Sequence, residues 1–189
     1  MGSATDQKFR EWAQRIRASD EDAFAEFFRA IYSQMVKFAW RYTRSESDAH
    51  DVVQESFVKL WKLRENVDPN QSLRAYLYQI VRSRALNYLR DKKDHTSIED
   101  TNQNTLKVQN KVLANVLENE NYDKKMGELI SELPDRQREA MELSRFEGLN
   151  HDEIADVMQI SPRTVNNHIV AALKTLRKEW TTFKNNKNG

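Results

Sequence analysis

Residues Leu149 to Leu176 leave little choice of local structure. Asn150 is a good N-cap, and Glu153, three residues on, is placed to reach back to it as in a capping box. Ile154, Ala155 and Met158 form the inner edge of a first short helix. Gln159-Ile160-Ser161 makes a tight connection; Ser161 then caps a second helix and Pro162 fills its first position, where a missing N–H costs nothing. Val165, Ile169, Leu173 and Leu176, with Ala172 filling in, recur at helical spacing and give that helix one apolar stripe. The pattern is a helix-turn-helix. Gln159 stands where a turn glycine is common, and a positive φ there would cost on the order of 1 kcal/mol.

The other face of the second helix carries Arg163, Thr164, Asn166, Asn167, Val170 and Lys174. That set suits a major groove, because Asn pairs bidentately with adenine, Arg with guanine, and small apolar groups meet the thymine methyl. Two short helices with a tight turn also occur in ordinary bundles, where such a face is merely solvated. Small Ala155 and branched Val165, placed where crossing helices must approach closely, favour the DNA reading.

If DNA is the partner, the basic residues must be concentrated, because 30 Lys and Arg against 29 Asp and Glu leave a formal net charge of only +1. Two stripes meet that condition. One runs from Ser161 onward, with Arg163, Lys174, Arg177, Lys178, Lys184 and Lys187 against the single acid Glu179. The other runs from Leu73 to Lys93, with Arg74, Arg82, Arg84, Arg90, Lys92 and Lys93 against Asp91. Four Gly, three Pro and 31% charged residues over 189 positions fit an all-α chain of one ordinary or two small domains. Cysteine is absent, which removes disulfide, thiolate and cysteine–zinc chemistry. No apolar run reaches the roughly 20 residues of a membrane span and no signal-peptide pattern opens the chain, so a cytoplasmic protein without membrane insertion is expected.

Taken in order, Phe9, Trp12 and Ile16 predict a short helix, and Ser19-Asp20-Glu21-Asp22 starts a second. Along the second, Phe24, Phe27, Phe28, Ile31, Met35, Phe38 and Tyr42 form an aromatic stripe that reads as core rather than as a base-stacking surface. Ser45 to Trp61 predicts a third helix, capped by Ser45 or Ser47, burying Val52, Val53, Phe57, Leu60 and Trp61. Its other face, with Asp48, Asp51, Gln54 and Glu55, is either solvated or a protein contact. Arg64 to Ser72 is a loop of turn residues. A long helix follows over about 73–92, with Tyr76, Leu77, Ile80, Val81, Leu86 and Leu89 inward and Arg82, Ser83, Arg84, Asn87, Tyr88 and Arg90 outward. Cations interleaved with Tyr and Asn make a plausible single-strand platform, although a solvated basic helix has the same pattern.

From Asp94 the chain turns polar, and acids outnumber bases eight to four as far as Glu132. This predicts a linker over 94–124, in which Leu106, Val108, Val112, Leu113, Val116 and Leu117 could pack on something once docked. Leu133-Pro134 opens a second domain whose first helix buries Ala140, Met141, Leu143 and Phe146 and ends at Gly148. The expected fold is therefore two small helical domains, 1–93 and 125–189, joined by a flexible linker, with the helix-turn-helix in the second.

The arrangement as a whole resembles the extracytoplasmic-function (ECF) sigma factors of bacterial RNA polymerase over about residues 20–92 and 125–180. The specific parts are Asp48-Ala-His-Asp-Val-Val-Gln-Glu-Ser-Phe-Val-Lys-Leu-Trp61, the run Ala75 to Val81 ending in Asn87-Tyr-Leu-Arg90, and Leu133-Pro134 with the helix-turn-helix behind it. The resemblance implies that Asp48, Asp51, Gln54, Glu55 and Trp61 belong to a surface for the clamp of core RNA polymerase. It implies that the loop 64–72 and the following helix take the minus-ten promoter element as a melted strand, through Ser83, Arg84, Asn87, Tyr88 and Arg90. It implies that Arg163, Thr164, Asn166, Asn167, Val170 and Lys174 meet the minus-thirty-five element as duplex, and that an anti-sigma factor is a further partner. Many relatives carry Asn at the position of Ser83 and more Arg where this chain has Asn166-Asn167-His168.

No nucleophile–base pair, metal cluster or glycine-rich phosphate loop is visible, and His50, His95, His151 and His168 lie in separate elements. The chain is expected not to be an enzyme and to need neither cofactor nor small-molecule substrate. Three readings remain. A sigma factor binds core polymerase and melted promoter strand; a lone helix-turn-helix regulator binds duplex tightly, as a dimer at a two-fold site; a protein-only adaptor does neither. The low net charge speaks against the second and the two basic stripes against the third.

Overall fold

The computed structural model describes residues 4–96 and 120–187, with side chains over 6–92 and 125–185. Every regular element among them is helical, and the chain divides into two compact units, Met1–Asn102 and Gln103–Gly189. The expected linker and its apolar residues Leu106 to Leu117 lie mostly or wholly outside the described residues.

The N-terminal unit contains α1 (Ala4–Arg17), α2 (Glu21–Thr43), α3 (Glu46–Lys62), a single 3-10 turn (Arg64–Asn66) and α4 (Leu73–Thr96). The caps chosen by the chain are local. Asp20 accepts from the Ala23 amide at 2.9 Å, Ser45 rather than Ser47 accepts from the Asp48 amide at 3.4 Å, and Ser72 accepts from the Ala75 amide at 3.2 Å. α4 runs on through Asp94–Thr96 beyond the expected end at Lys92, since nothing there breaks a helix.

Aromatic rings hold this unit together as expected. Phe27 and Phe38 are fully buried, and Phe57 of α3 meets Phe24, Phe27, Phe28 and Tyr32 of α2 at centroid distances of 6.0, 6.0, 4.7 and 6.3 Å. Each ring buried this way is worth roughly 1.5–3 kcal/mol in transfer from water. In α4 the single-stripe expectation fails: Tyr78 is fully buried edge-to-face on Phe38 at 4.8 Å, Ala85 is buried, and Leu86 is 39% exposed. α4 packs on α1, α2 and α3 together, so its first half is covered on several sides and periodicity cannot pick one face.

The C-terminal unit contains α5 (Glu120–Ser131), α6 (Asp135–Arg145), α7 (His151–Met158) and α8 (Pro162–Lys187). Leu129, Ile130 and Leu133 pack with Ala172 and Leu176 of α8, with Met126, Met141 and Trp180 at the edge. α6 and α7 also pack on α8, burying Ala140, Leu143, Ile154, Ala155, Val157 and Met158 beside Val165 and Ile169. Two expected core residues are outside it: Phe146 is 42% and Leu173 45% exposed. Phe146 caps α6 and turns out with the chain, and on α8 the small Ala172 takes the inner position that Leu173 was expected to fill.

The helix-turn-helix forms as its sequence demands. Asn150 accepts from the Asp152 and Glu153 amides at 3.0 Å each, and Glu153 reaches back to the Asn150 amide at 2.9 Å, closing the capping box. Gln159 adopts the left-handed conformation, φ 55° and ψ 50°, and its amide donates to the Ala155 carbonyl. Two substitutions should therefore move the thermal midpoint of this unit in opposite directions: Asn150→Ala should cost about 1 kcal/mol of stability, and Gln159→Gly should gain about 1 kcal/mol.

Candidate nucleic-acid and partner interfaces

On α8 the first turn is fixed before any ligand arrives. Ser161 Oγ accepts from the Thr164 amide at 3.1 Å and lies 2.8 Å from Thr164 Oγ1, so the Thr164 hydroxyl is engaged in the cap. Arg163, Asn166, Asn167, Val170 and Lys174 are all exposed, at steps of three and four, on the side opposite buried Val165, Ile169, Ala172 and Leu176. Val170 is 56% exposed, a methyl-bearing contact with no partner in the core. From Arg163 to Lys174 this face is about 16 Å long, close to five base-pair steps, on a helix of a width that fits a major groove. Arg177 and Lys178 continue the exposed basic edge. On α7, burial first and then the neighbouring Asp152 and Glu153 raise the Asp156 carboxyl above its ordinary value.

In the N-terminal unit the structure sorts the candidate residues of α4 onto two faces. Ser83, Asn87 and Arg90 are exposed on one, where Arg90 Nε lies 3.5 Å from its neighbour Asp91. Arg84 and Tyr88 turn toward α3. Arg84 pairs with Glu55, and the Tyr88 hydroxyl donates to Asp48. Lys92 joins them, 3.9 Å from Asp48 Oδ2, 3.3 Å from Tyr88 Oη and over the Tyr88 ring at 5.5 Å. Sequence reasoning misses Lys92 as a member of this seam, although its place one turn after Tyr88 is the signal. The Asp48 carboxyl is held below its ordinary value of 3.8, chiefly by the Tyr88 hydrogen bond, then by Ser45, with Lys92 adding its charge.

The candidates of α3 divide likewise. Asp48 and Glu55 face α4; Asp51 and Gln54 are exposed, and Val58, 53% exposed, extends that stripe by one turn. Val58 is a second residue that the sequence does not single out. Trp61 is not with them: 13 residues of helix put it about 20 Å from Asp48. It packs at a tilt against Phe24, centroids 4.9 Å apart, and lies under the Arg64 guanidinium at 4.7 Å. Arg64, a residue of the 3-10 turn, also donates to the Trp61 carbonyl at 2.9 Å and to Ser19 Oγ at 2.8 Å. Beyond it the loop is pinned by buried Val67 and by Asp68, which accepts from the Asn70 amide and side chain at 2.9 and 3.1 Å. Among the described residues no three His, Cys, Asp or Glu stand together as a metal site would need, and no helix is long and apolar enough to cross a membrane.

An acid-and-base seam in one helical unit and a helix-turn-helix in the other match what comparison with known proteins returns. The family model described as Sigma-70 region 2 matches residues 27–95, and that described as Sigma-70, region 4 matches 123–176. The RNA polymerase sigma factor SigV of Bacillus subtilis is 29% identical over 77% of this chain and 83% of its own. The ECF RNA polymerase sigma factor RpoE of Cereibacter sphaeroides is 28% identical over 94% of this chain and 99% of its own. Among solved structures, the sigma factor RpoE of Bartonella quintana, in complex with the anti-sigma factor NepR, shares the fold: its TM-score is 0.64 at 18% identity, over 82% of this chain and 94% of that one. The chain belongs to the sigma factors of bacterial RNA polymerase, in their extracytoplasmic-function group. It is a promoter-directing factor of transcription initiation.

The Asp48–Tyr88 bond carries a pH signature. Because the folded Asp48 is depressed, its stabilisation is present above the ordinary value of 3.8 and is lost as pH falls through the lower folded value. Tyr88→Phe should therefore lower the thermal midpoint of the N-terminal unit at pH 7, and the gap to wild type should close as the buffer is taken below that range. A gap that stays constant with pH would assign the loss to packing instead.

Proposed function

We propose that the two units divide promoter recognition between them, the N-terminal one as sigma region 2 on core polymerase and the melted minus-ten strand, the C-terminal one as region 4 on the minus-thirty-five duplex. The observation that carries this reading is the exposed face of α8, where Arg163, Asn166, Asn167, Val170 and Lys174 stand free on one side of a capped and packed helix. Asn166 and Asn167 read base edges, Arg163 reads a base edge or a phosphate, Val170 meets a thymine methyl, and Lys174 holds phosphate. Thr164 contributes by fixing the cap.

On α4, Ser83, Asn87 and Arg90 face the melted strand, and Arg84 and Tyr88 line its edge against α3. Asp51, Gln54 and Val58, flanked by Asp48 and Glu55, form the polymerase contact, with Trp61 as packed support at the far end of the helix. Neither unit alone has enough phosphate contacts to hold a promoter tightly. Bound together on polymerase they do, because the second contact becomes intramolecular. Unstacking a base costs a few kcal/mol, and stacking a captured base returns about 1–3 kcal/mol.

The protein acts in the cytoplasm, without catalysis, cofactor or small-molecule substrate of its own, and an anti-sigma factor holds it inactive by covering the polymerase-binding surface. The complex of the Bartonella quintana sigma factor with the anti-sigma factor NepR, built on the same fold, supports that partner.

Run-off transcription with core polymerase on templates randomised upstream tests the whole reading. Transcripts that require the protein and share two spaced elements are expected; duplex binding without core and no transcription would replace it with a lone helix-turn-helix regulator. On the selected promoter, Asn166→Ala or Asn167→Ala should cost about 1–3 kcal/mol and relax preference at one or two minus-thirty-five positions. Lys174→Ala should weaken all promoters alike and reduce the salt slope of binding by about one.

A further inference from the structure

We propose that the turn between α1 and α2 is a positioning element for promoter-strand capture, acting through Arg64 on the loop that leads into α4. The inference rests on reading that loop as a border of the minus-ten site. It adds a residue from outside the family match, which begins at residue 27.

Arg64 is the hinge pin between the two. Its Nε donates to Ser19 Oγ at 2.8 Å across 45 residues of sequence, and its Nη1 donates to the Trp61 carbonyl at 2.9 Å. The guanidinium sits 4.7 Å over the Trp61 ring, and Trp61 in turn packs at a tilt against Phe24. The first residue of the 3-10 turn is thus held from three directions, by α1–α2, by the end of α3 and by an aromatic pair.

The anchor at the other end is itself fixed. Ser19 takes the left-handed conformation at φ 64°, a conformation that a non-glycine residue keeps only when its surroundings over-determine it. They do so here: the Ser19 amide donates to the Ile16 carbonyl at 2.9 Å, and the Asp20 amide to the Arg15 carbonyl at 3.0 Å. Asp20 then accepts from both Arg15 Nε at 2.8 Å and the Ala23 amide at 2.9 Å. α1 is in turn pinned to α2 by Trp12, whose indole N–H donates to Glu26 at 3.1 Å. α1 also packs directly on the 3-10 turn and on α4.

The consequence falls on the loop tip. Asp68 and Asn70 are bonded to one another, Val67 is buried, and the Val67 amide donates to the Arg64 carbonyl at 3.1 Å, so the geometry of the tip is set from the turn at Arg64. Releasing Arg64 from Ser19 removes one of the restraints that fix this geometry, while Val67 and the Trp61 contacts keep the loop folded. Base selectivity depends on such fixed geometry more steeply than overall affinity does.

Ser19→Ala is the informative variant, since it removes the acceptor while keeping a Cβ at the left-handed position. With core polymerase and a promoter library randomised across the minus-ten element, Ser19→Ala should flatten preference at one position by about threefold to tenfold, the size of one hydrogen bond. Preference at the minus-thirty-five element and affinity for core should stay at wild-type values, and the thermal midpoint should fall by no more than the loss of one exposed hydrogen bond allows. Arg64→Ala should flatten the same position at least as much, and the double variant should match Arg64→Ala alone, because both remove one shared contact.

A wild-type minus-ten preference that both variants leave intact would overturn the inference by itself. So would a uniform fall across all promoters with weaker core binding, which is general damage rather than lost positioning. A wild-type protein that shows no minus-ten preference at all would remove the underlying reading of the loop, and the inference with it.

Discussion

Phe57 is the residue on which the N-terminal unit depends. Four rings of α2 converge on it, so the α2–α3 pair has one way to close. That closure fixes the rotation of α3 about its own axis. With the rotation fixed, Asp48 and Glu55 have to face α4, and Asp51, Gln54 and Val58 have to face away. A buried aromatic contact with no chemistry of its own therefore decides which acids are paired within the fold and which stay exposed.

The same arrangement explains how a chain of net charge +1 can serve a polyanion. Its cations are local, and some of them are already answered by acids within the fold. Arg84 and Lys92 lie against Glu55 and Asp48, so they add order to the α3–α4 seam as well as positive potential near it. Lys174, Arg177 and Lys178 on α8 are set on an exposed edge instead, where their charge faces solvent and is screened by salt. The two stripes look alike in sequence and differ in electrostatic role.

Much of this is legible in the residues alone. The caps at Asn150 and Ser161, the turn at Gln159, the breaks at Arg64–Ser72 and Gly148 and the aromatic core of α2 are short-range features, written within four residues of where they act. What periodicity cannot supply is the number of neighbours around a helix. α4 is enclosed on several sides, so Tyr78 goes inside and Leu86 outside, and Leu173 is displaced from the core by the smaller Ala172. Contacts across helices are equally hidden: Arg64 with Ser19 and Asp48 with Tyr88 are separated by 45 and 40 residues, and no local pattern marks either pair. Among the candidate site residues, the α8 face can be read directly because it belongs to one helix; the α3 and α4 sets can be named but not sorted.

α8 is a single helix of 26 residues, and its exposed polar face and the seam with α5 share one backbone. From Trp180, packed at that seam, to Arg163 is about 25 Å along the axis. Val165 and Ile169, packed on α6 and α7, hold the half of the helix that carries Arg163, so α8 is fixed to its unit along both halves. The hydrophobic packing of Leu129, Ile130 and Leu176 thus bears on the same backbone that carries the exposed residues from Arg163 to Lys174.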